Sequence, residues 1–270
     1  TAGYFILFRQ RADLNPAYAL DDWTERGRRV YQTLWETAER SQFRVRRWLE
    51  KRGLPYTALP INNSLFVTTD RATLEALASF PEVAGFRGNH RHELEPRPAG
   101  PEDAFPQGVA WNIARVGADR VWRDYRVKGQ GITVASIDTG VEYTHDALFP
   151  NYKCGNGPHT PCWHDPSSVC PNPAVPCDNV GHGTHTMGTM VGDDNPALRY
   201  NVGMAPDAQW ITCKGCEDYW CSDYALTACA NWLLAPGGDP DNRPHVVNNS
   251  WGCLLYTSDA ADDLLCVDLG

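Results

Sequence analysis

The sequence predicts an α/β fold, a doubly wound and mainly parallel sheet, preceded by a small ferredoxin-like α+β unit. Three observations predict it. Gly131-Ile132-Thr133-Val134-Ala135-Ser136-Ile137 is a nearly continuous apolar, β-branched run closed by a turn at Gly140, as expected of a central parallel strand buried on both faces. The first 95 residues instead alternate short apolar runs with two helical stretches in the order β-α-β-β-α-β, the ferredoxin-like plan. Between the two lies Glu93 to Gln107, whose Pro96, Pro98, Pro101 and Pro106 suit an exposed, extended linker. The expected boundaries are 1–95, a linker at 96–107, a second unit at 108–252 and a tail at 253–270.

Taken in order, Tyr4 to Phe8 reads as a strand and Asp21 to Arg52 as a polar helix with a broken apolar stripe at Val30, Leu34, Ala38, Val45 and Trp48-Leu49. Leu54 to Leu59 and Ser64 to Thr69 read as strands. A second helix is capped by Thr69 or Asp70, turns Leu74, Leu77 and Ala78 inward, and stops before Pro81. Val83 to Phe86 closes the unit as a strand. The cluster Arg44, Arg46, Arg47, Lys51 and Arg52 could face nucleic acid, but Glu36, Glu39 and Glu50 interleave with it on a chain of net charge −9, so a solvated helix face is expected. Residues 1–95 carry +2 and residues 96–270 carry −11, which favours their encounter. No run approaches eighteen consecutive apolar residues, so no membrane span is expected.

Chemistry concentrates at two places. Asp138 sits at the carboxyl end of the expected central strand, where open α/β sheets bind ligands; an ordinary helix-capping Asp is the plain alternative. In Gly181-His182-Gly183-Thr184-His185-Thr186-Met187-Gly188, His182 stands at the expected start of a helix, whose dipole favours the neutral imidazole. A neutral imidazole can accept a hydroxyl proton if a carboxylate fixes its tautomer, and Asp138 is the candidate. Zinc at His182 and His185 ranks below this, since metal-binding helices space two histidines by four around a Glu, and no Glu occurs between residues 143 and 216. His185 is expected to pack, hydrogen-bonded, beneath His182.

Ile137-Asp138-Thr139-Gly140, then Gly181-His182-Gly183-Thr184-His185 with Gly188-Thr189, then Gly203-Met204-Ala205-Pro206, then Val247-Asn248-Asn249-Ser250-Trp251-Gly252 resemble, in order, the motifs of the subtilisin-like serine proteases (subtilases, peptidase family S8), in a bacillopeptidase F-like branch. The resemblance implies that Asp138 orients the general base His182. It also implies that Ser250, Trp251 and Gly252 line the non-primed substrate subsites, where an extended polypeptide pairs with a strand edge. Ser250 lacks a nucleophile elbow and lies on a strand-like run, and no Gly-Thr-Ser-Met-type nucleophile segment or oxyanion-hole Asn segment follows it, so this chain is expected to be inactive. By the same resemblance residues 1–95 are an inhibitor I9-type propeptide, an intramolecular partner that docks on the catalytic unit until it is cut within the linker. Where many family members place a calcium-binding Asp this chain carries Ala147 beside Asp146, so no cofactor or metal is expected, with calcium the one alternative the sequence leaves open without supporting it. A binding-class alternative is a pseudoprotease or a propeptide-like protease-binding module.

The tail from Cys253 is what a reading frame resembling a transposase-based sequencing adapter would encode, and Cys266-Val267-Asp268-Leu269-Gly270 fits its next part, so residues 253–270 are expected to be adapter-derived. Setting them aside leaves eight cysteines, all between Cys154 and Cys229, and on the order of 100 pairings. An even number around a Pro-rich insertion and a helix points to disulfides in an oxidising, extracellular setting. Loop proximity favours Cys154–Cys162, Cys170–Cys177, Cys216–Cys221 and Cys213–Cys229. A metal module built on Cys213-x-x-Cys216, or on His159 and His164 near Cys162, is the lesser alternative. Thr1 is not an initiator Met and no charged leader precedes Tyr4, so a secretion signal is expected upstream.

Overall fold

The computed structural model describes residues 2–94, 108–193 and 200–251; the expected linker at 96–107, Gly252 and the tail at 253–270 lie outside the described residues. In the first unit the elements are β1 (Ala2–Phe8), α1 (Asn15–Tyr18), α2 (Trp23–Glu50), β2 (Tyr56–Leu59), β3 (Ser64–Thr69), α3 (Arg71–Leu77) and β4 (Val83–Gly88). Strand order β2-β3-β1-β4, antiparallel throughout, realises the ferredoxin-like plan. Asp22 and Asp70 cap the two long helices by accepting from Glu25 N and Thr73 N, which satisfies amides that have no partner inside the helix. Val45 and Leu49 of α2 and Leu77 of α3 close over Ile6, Leu65 and Val67. Ala78, expected inside, is exposed, because α3 ends at Leu77 and the chain turns away.

The basic cluster of α2 is spent locally: Arg46 pairs with Glu39, Arg44 with Glu82, and the Arg52 guanidinium lies 3.7 Å from the centre of the Trp48 ring.

In the second unit a short parallel pair, β6 (Gly108–Val109) with β9 (Tyr200–Asn201), flanks α4 (Trp111–Val116) and α5 (Ala118–Tyr125). The main sheet has the order β12-β7-β10-β8, all parallel, from β7 (Thr133–Asp138), β8 (Trp163–His164), β10 (Gln209–Lys214) and β12 (Val246–Asn248). Every residue of β7 is buried, the burial its continuous apolar pattern encodes. Helices α6 (His182–Val191) and α7 (Asp223–Leu233) pack on this sheet, and Met187, Val191, Leu226 and Leu233 enter a core with Trp210 and Ile211. No helix among the described residues is long and apolar enough to cross a membrane.

All four expected disulfides form: Cys154–Cys162, Cys170–Cys177, Cys213–Cys229 and Cys216–Cys221. Cys213–Cys229 ties β10 to α7 across 16 residues of sequence. Replacing both with alanine is expected to cost about 3 kcal/mol of unfolding free energy, by the loop-closure entropy returned to the unfolded chain, and scanning calorimetry would register it.

The two units join through β5 (Arg91–Glu93), which pairs antiparallel with β11 (Trp220–Ser222), and Leu94 N continues the ladder to the Tyr219 carbonyl at 2.8 Å. Leu94 itself is buried in the core of the second unit. Phe66 of the first sheet stacks on Tyr224 of α7 at 4.2 Å, while Tyr224 N donates to Asn89 and Ile61 N to Asn231. Arg28 forms a bidentate pair with Asp241, and His92 Nε2 lies 2.8 Å from Asp223 Oδ1, so the basic unit meets acids of the other.

Candidate functional site: an Asp–His pair at the end of the parallel sheet

Strand β7, hydrogen-bonded to neighbours on both sides, delivers Asp138 to the carboxyl end of the sheet with its side chain fully buried. His182 is the first residue of α6, and its Nδ1 stands 2.7 Å from Asp138 Oδ1. Thr139 N donates to the same oxygen at 2.7 Å, and Thr186 Oγ1 reaches Oδ2 at 3.3 Å. The carboxylate is therefore held by its own strand end and by one turn of the helix that carries the imidazole.

The helix start is built by a residue absent from the sequence reading. Asp178 accepts from Gly181 N at 2.8 Å, Thr184 N at 2.9 Å and Thr184 Oγ1 at 2.6 Å, so it caps α6 from a loop. Thr139 Oγ1 donates to Asp178 at 2.9 Å and accepts from Gly183 N at 2.8 Å, which stitches the strand end to the helix start. Two glycines permit the approach. A Cβ on Gly183 would fall 2.0 Å from the Gly140 carbonyl oxygen, and Gly140, at φ 97°, would place one 2.0 Å from the Cys177 oxygen.

The electrostatics differ from the sequence expectation in one respect. A helix amino terminus disfavours imidazolium, yet the His182 pKa is raised: the hydrogen bond to Asp138 is the largest influence, and the nearby charges of Asp138 and Asp178 add to it against the cost of burial. With Nδ1 engaged by Asp138, Nε2 is the nitrogen left for proton exchange. Because the folded-state pKa lies above the ordinary 6.5, the stability this pair contributes is complete below that value and is lost as pH rises through the raised one. An NMR titration of the His182 ring is expected to give a midpoint above 6.5 in the folded chain.

The other expected residues divide. Ser250 lies two residues beyond β12, the outer strand of the main sheet among the described residues, and its hydroxyl accepts from Asn248 Nδ2 at 2.8 Å. Trp251 packs against the core and donates its indole N–H to the Ile137 carbonyl at 2.9 Å, so the ring anchors the strand beside Asp138. Gly252 falls outside the described residues. His185 is exposed on α6, one turn from His182. Cys162, Cys213 and Cys216 are each in a disulfide. His159 meets the Tyr152 hydroxyl at 3.1 Å and the His164 ring stacks on Trp232 at 5.7 Å.

A buried acid with an imidazole held against it, at the carboxyl end of an open parallel sheet, is an arrangement able to take up and return a proton. A sequence profile of the subtilase family (Peptidase S8) matches residues 129–263, half of the chain, and includes the first residues beyond Gly252. The chain belongs to the subtilase family. It is 32% identical over 83% of its length to bacillopeptidase F of Bacillus subtilis, of which it spans 17%. It is 27% identical over 75% of its length to the thermophilic serine proteinase of Bacillus sp. strain AK1, of which it spans 47%. The chain thus spans less than half the length of either relative. Among solved structures, the epidermin leader peptide processing serine protease of Staphylococcus aureus superposes with a TM-score of 0.58 at 14% identity, covering 92% of this chain and 50% of that one. Fervidolysin of Fervidobacterium pennivorans gives 0.57 at 16%, covering 93% and 36%. At these identities the superpositions speak for the fold.

Proposed function

We propose that this chain is the amino-terminal part of a secreted subtilisin-like serine endopeptidase zymogen. Residues 1–95 are the inhibitor I9-type propeptide, 96–107 the linker that is cut, and 108–252 the first part of the catalytic domain; residues 253–270 derive from adapter sequence. The observation that carries this reading is the 2.7 Å contact between His182 and the buried Asp138. In the reaction a serine hydroxyl gives its proton to His182 Nε2 as its oxygen bonds to the peptide carbonyl carbon. The imidazolium, stabilised by Asp138, then protonates the departing amine, and water repeats the sequence to free the acyl group. Docking of β5 on β11, with Leu94 seated in the catalytic unit, supports the propeptide assignment, since an extended segment added to a strand edge is how such a cleft holds a polypeptide. Four disulfides support an extracellular setting.

Residues 1–252 contain no Gly-Thr-Ser segment, so mixed with a generic peptide substrate they are expected to give no turnover. Extending the gene into a Gly-Thr-Ser segment is expected to restore turnover that a serine-directed covalent inhibitor abolishes. Turnover from residues 1–252 alone would refute the missing-serine assignment. An extended gene with no such segment and no turnover would instead support a pseudoprotease.

A further inference from the structure

Beside the Asp138–His182 pair lies a cation that the reaction above does not use. Lys214 ends β10 in parallel register with Asp138 of β7 and is fully buried. Its Nζ donates to the Thr139 carbonyl and to Asn179 Oδ1, each at 2.5 Å. The two acceptors lie on different segments: Thr139 directly follows Asp138, and Asn179 lies three residues ahead of His182. A buried ammonium persists only where it is partnered, so its partners are held as firmly as it is.

We propose that Lys214 is a positioning residue that clamps the segment after Asp138 to the segment before His182 and, through its charge, offsets the pull of the surrounding carboxylates on the imidazole. The inference rests on the reading of Asp138 and His182 as the reacting pair. The clamp is continuous with the network already described, because Thr139 Oγ1 bonds both Asp178 and Gly183 N, so strand end, capping loop and helix start are hydrogen-bonded to one another. Asp138 on β7 and Asp178 on the capping loop both act on His182. Burial lowers the Lys214 pKa, and the same two acids, with Asp165 after β8 and Glu217 after β10, act against that lowering. Removing the ammonium leaves the carboxylates unopposed, and the imidazolium is then favoured.

The test uses NMR on the full chain, following the His182 titration midpoint and the downfield proton bridging Nδ1 and Asp138. Lys214→Met is expected to raise the midpoint by at least about half a pH unit and to speed exchange of the bridging proton several-fold. Lys214→Arg, which keeps the charge, is expected to bring the midpoint back toward that of the unmodified chain. Thr212→Val breaks the buried Ser136–Thr212 hydrogen bond (2.9 Å) on the same strand and is expected to lower the melting temperature without moving the midpoint. An unmoved midpoint in Lys214→Met, or an equal movement in Thr212→Val, overturns the proposal. Should Lys214→Met fail to fold, Asn179→Ala decides: Asn179 is exposed and its loss removes one Nζ acceptor, so faster exchange at an unchanged melting temperature supports the clamp and unchanged exchange overturns it. A bridging proton absent from the unmodified chain would overturn the reading of the pair itself, whereas one that is present but indifferent to Lys214 overturns the clamp alone.

Discussion

Asp138→Asn, introduced into the enzyme that carries the nucleophilic serine, is expected to lower kcat by about 10⁴ while KM changes little. The amide matches the carboxylate in shape, so the 2.7 Å contacts with His182 and Thr139 N can survive. What disappears is the negative charge that stabilises the imidazolium formed as the serine attacks. Since the hydrogen bond to Asp138 is the largest influence raising the His182 pKa, the same substitution is expected to move the acid limb of the pH–rate profile downward. Steady-state kinetics on a peptide substrate across pH would read both effects. A loss smaller than tenfold would remove Asp138 from the proposed role.

Tyr224→Ala is expected to weaken the hold of the first unit on the second by roughly 30- to 100-fold, an interface hot-spot loss of about 2–3 kcal/mol. Tyr224 bridges the two units three ways: its ring stacks on Phe66 at 4.2 Å, its hydroxyl meets Thr57 Oγ1 at 3.3 Å, and its backbone N–H donates to Asn89. The measurement is the dissociation constant of the two pieces after a single nick within residues 95–107. Arg28→Ala provides the contrast. Its pair with Asp241 is well oriented but solvent-exposed, so its loss is expected to change the constant by less than about tenfold. If the arginine proved the costlier of the two, charge and not aromatic packing would hold the units together.

Local signals were enough for much of this. Strand β7 was visible because a strand covered on both faces has no polar side to show, and β3 was found at its observed limits because turn residues bracket a β-branched run. The disulfide partners were legible because three of the four pairs close loops of eight residues or fewer, where proximity in sequence forces proximity in space. Asp138 and His182 were found through motif order, not through any local feature that joins them, and 44 residues separate them. The inward turn of Trp251, the exposure of His185 and the capping by Asp178 were not found. Each depends on which element lies across from the residue.

By itself, then, the sequence determined the elements of the first unit, the central strand β7 and the cysteine loops, because periodicity, turn chemistry and short loops act within a few residues. The tertiary structure alone decided that Lys214, Thr139 and Asp178 form one network around them and that Leu94 enters the second unit's core. The register of β7 against β10, and of β5 against β11, brings these groups together over 75 to 130 or so residues of chain, and register is set by the packing of whole sheets.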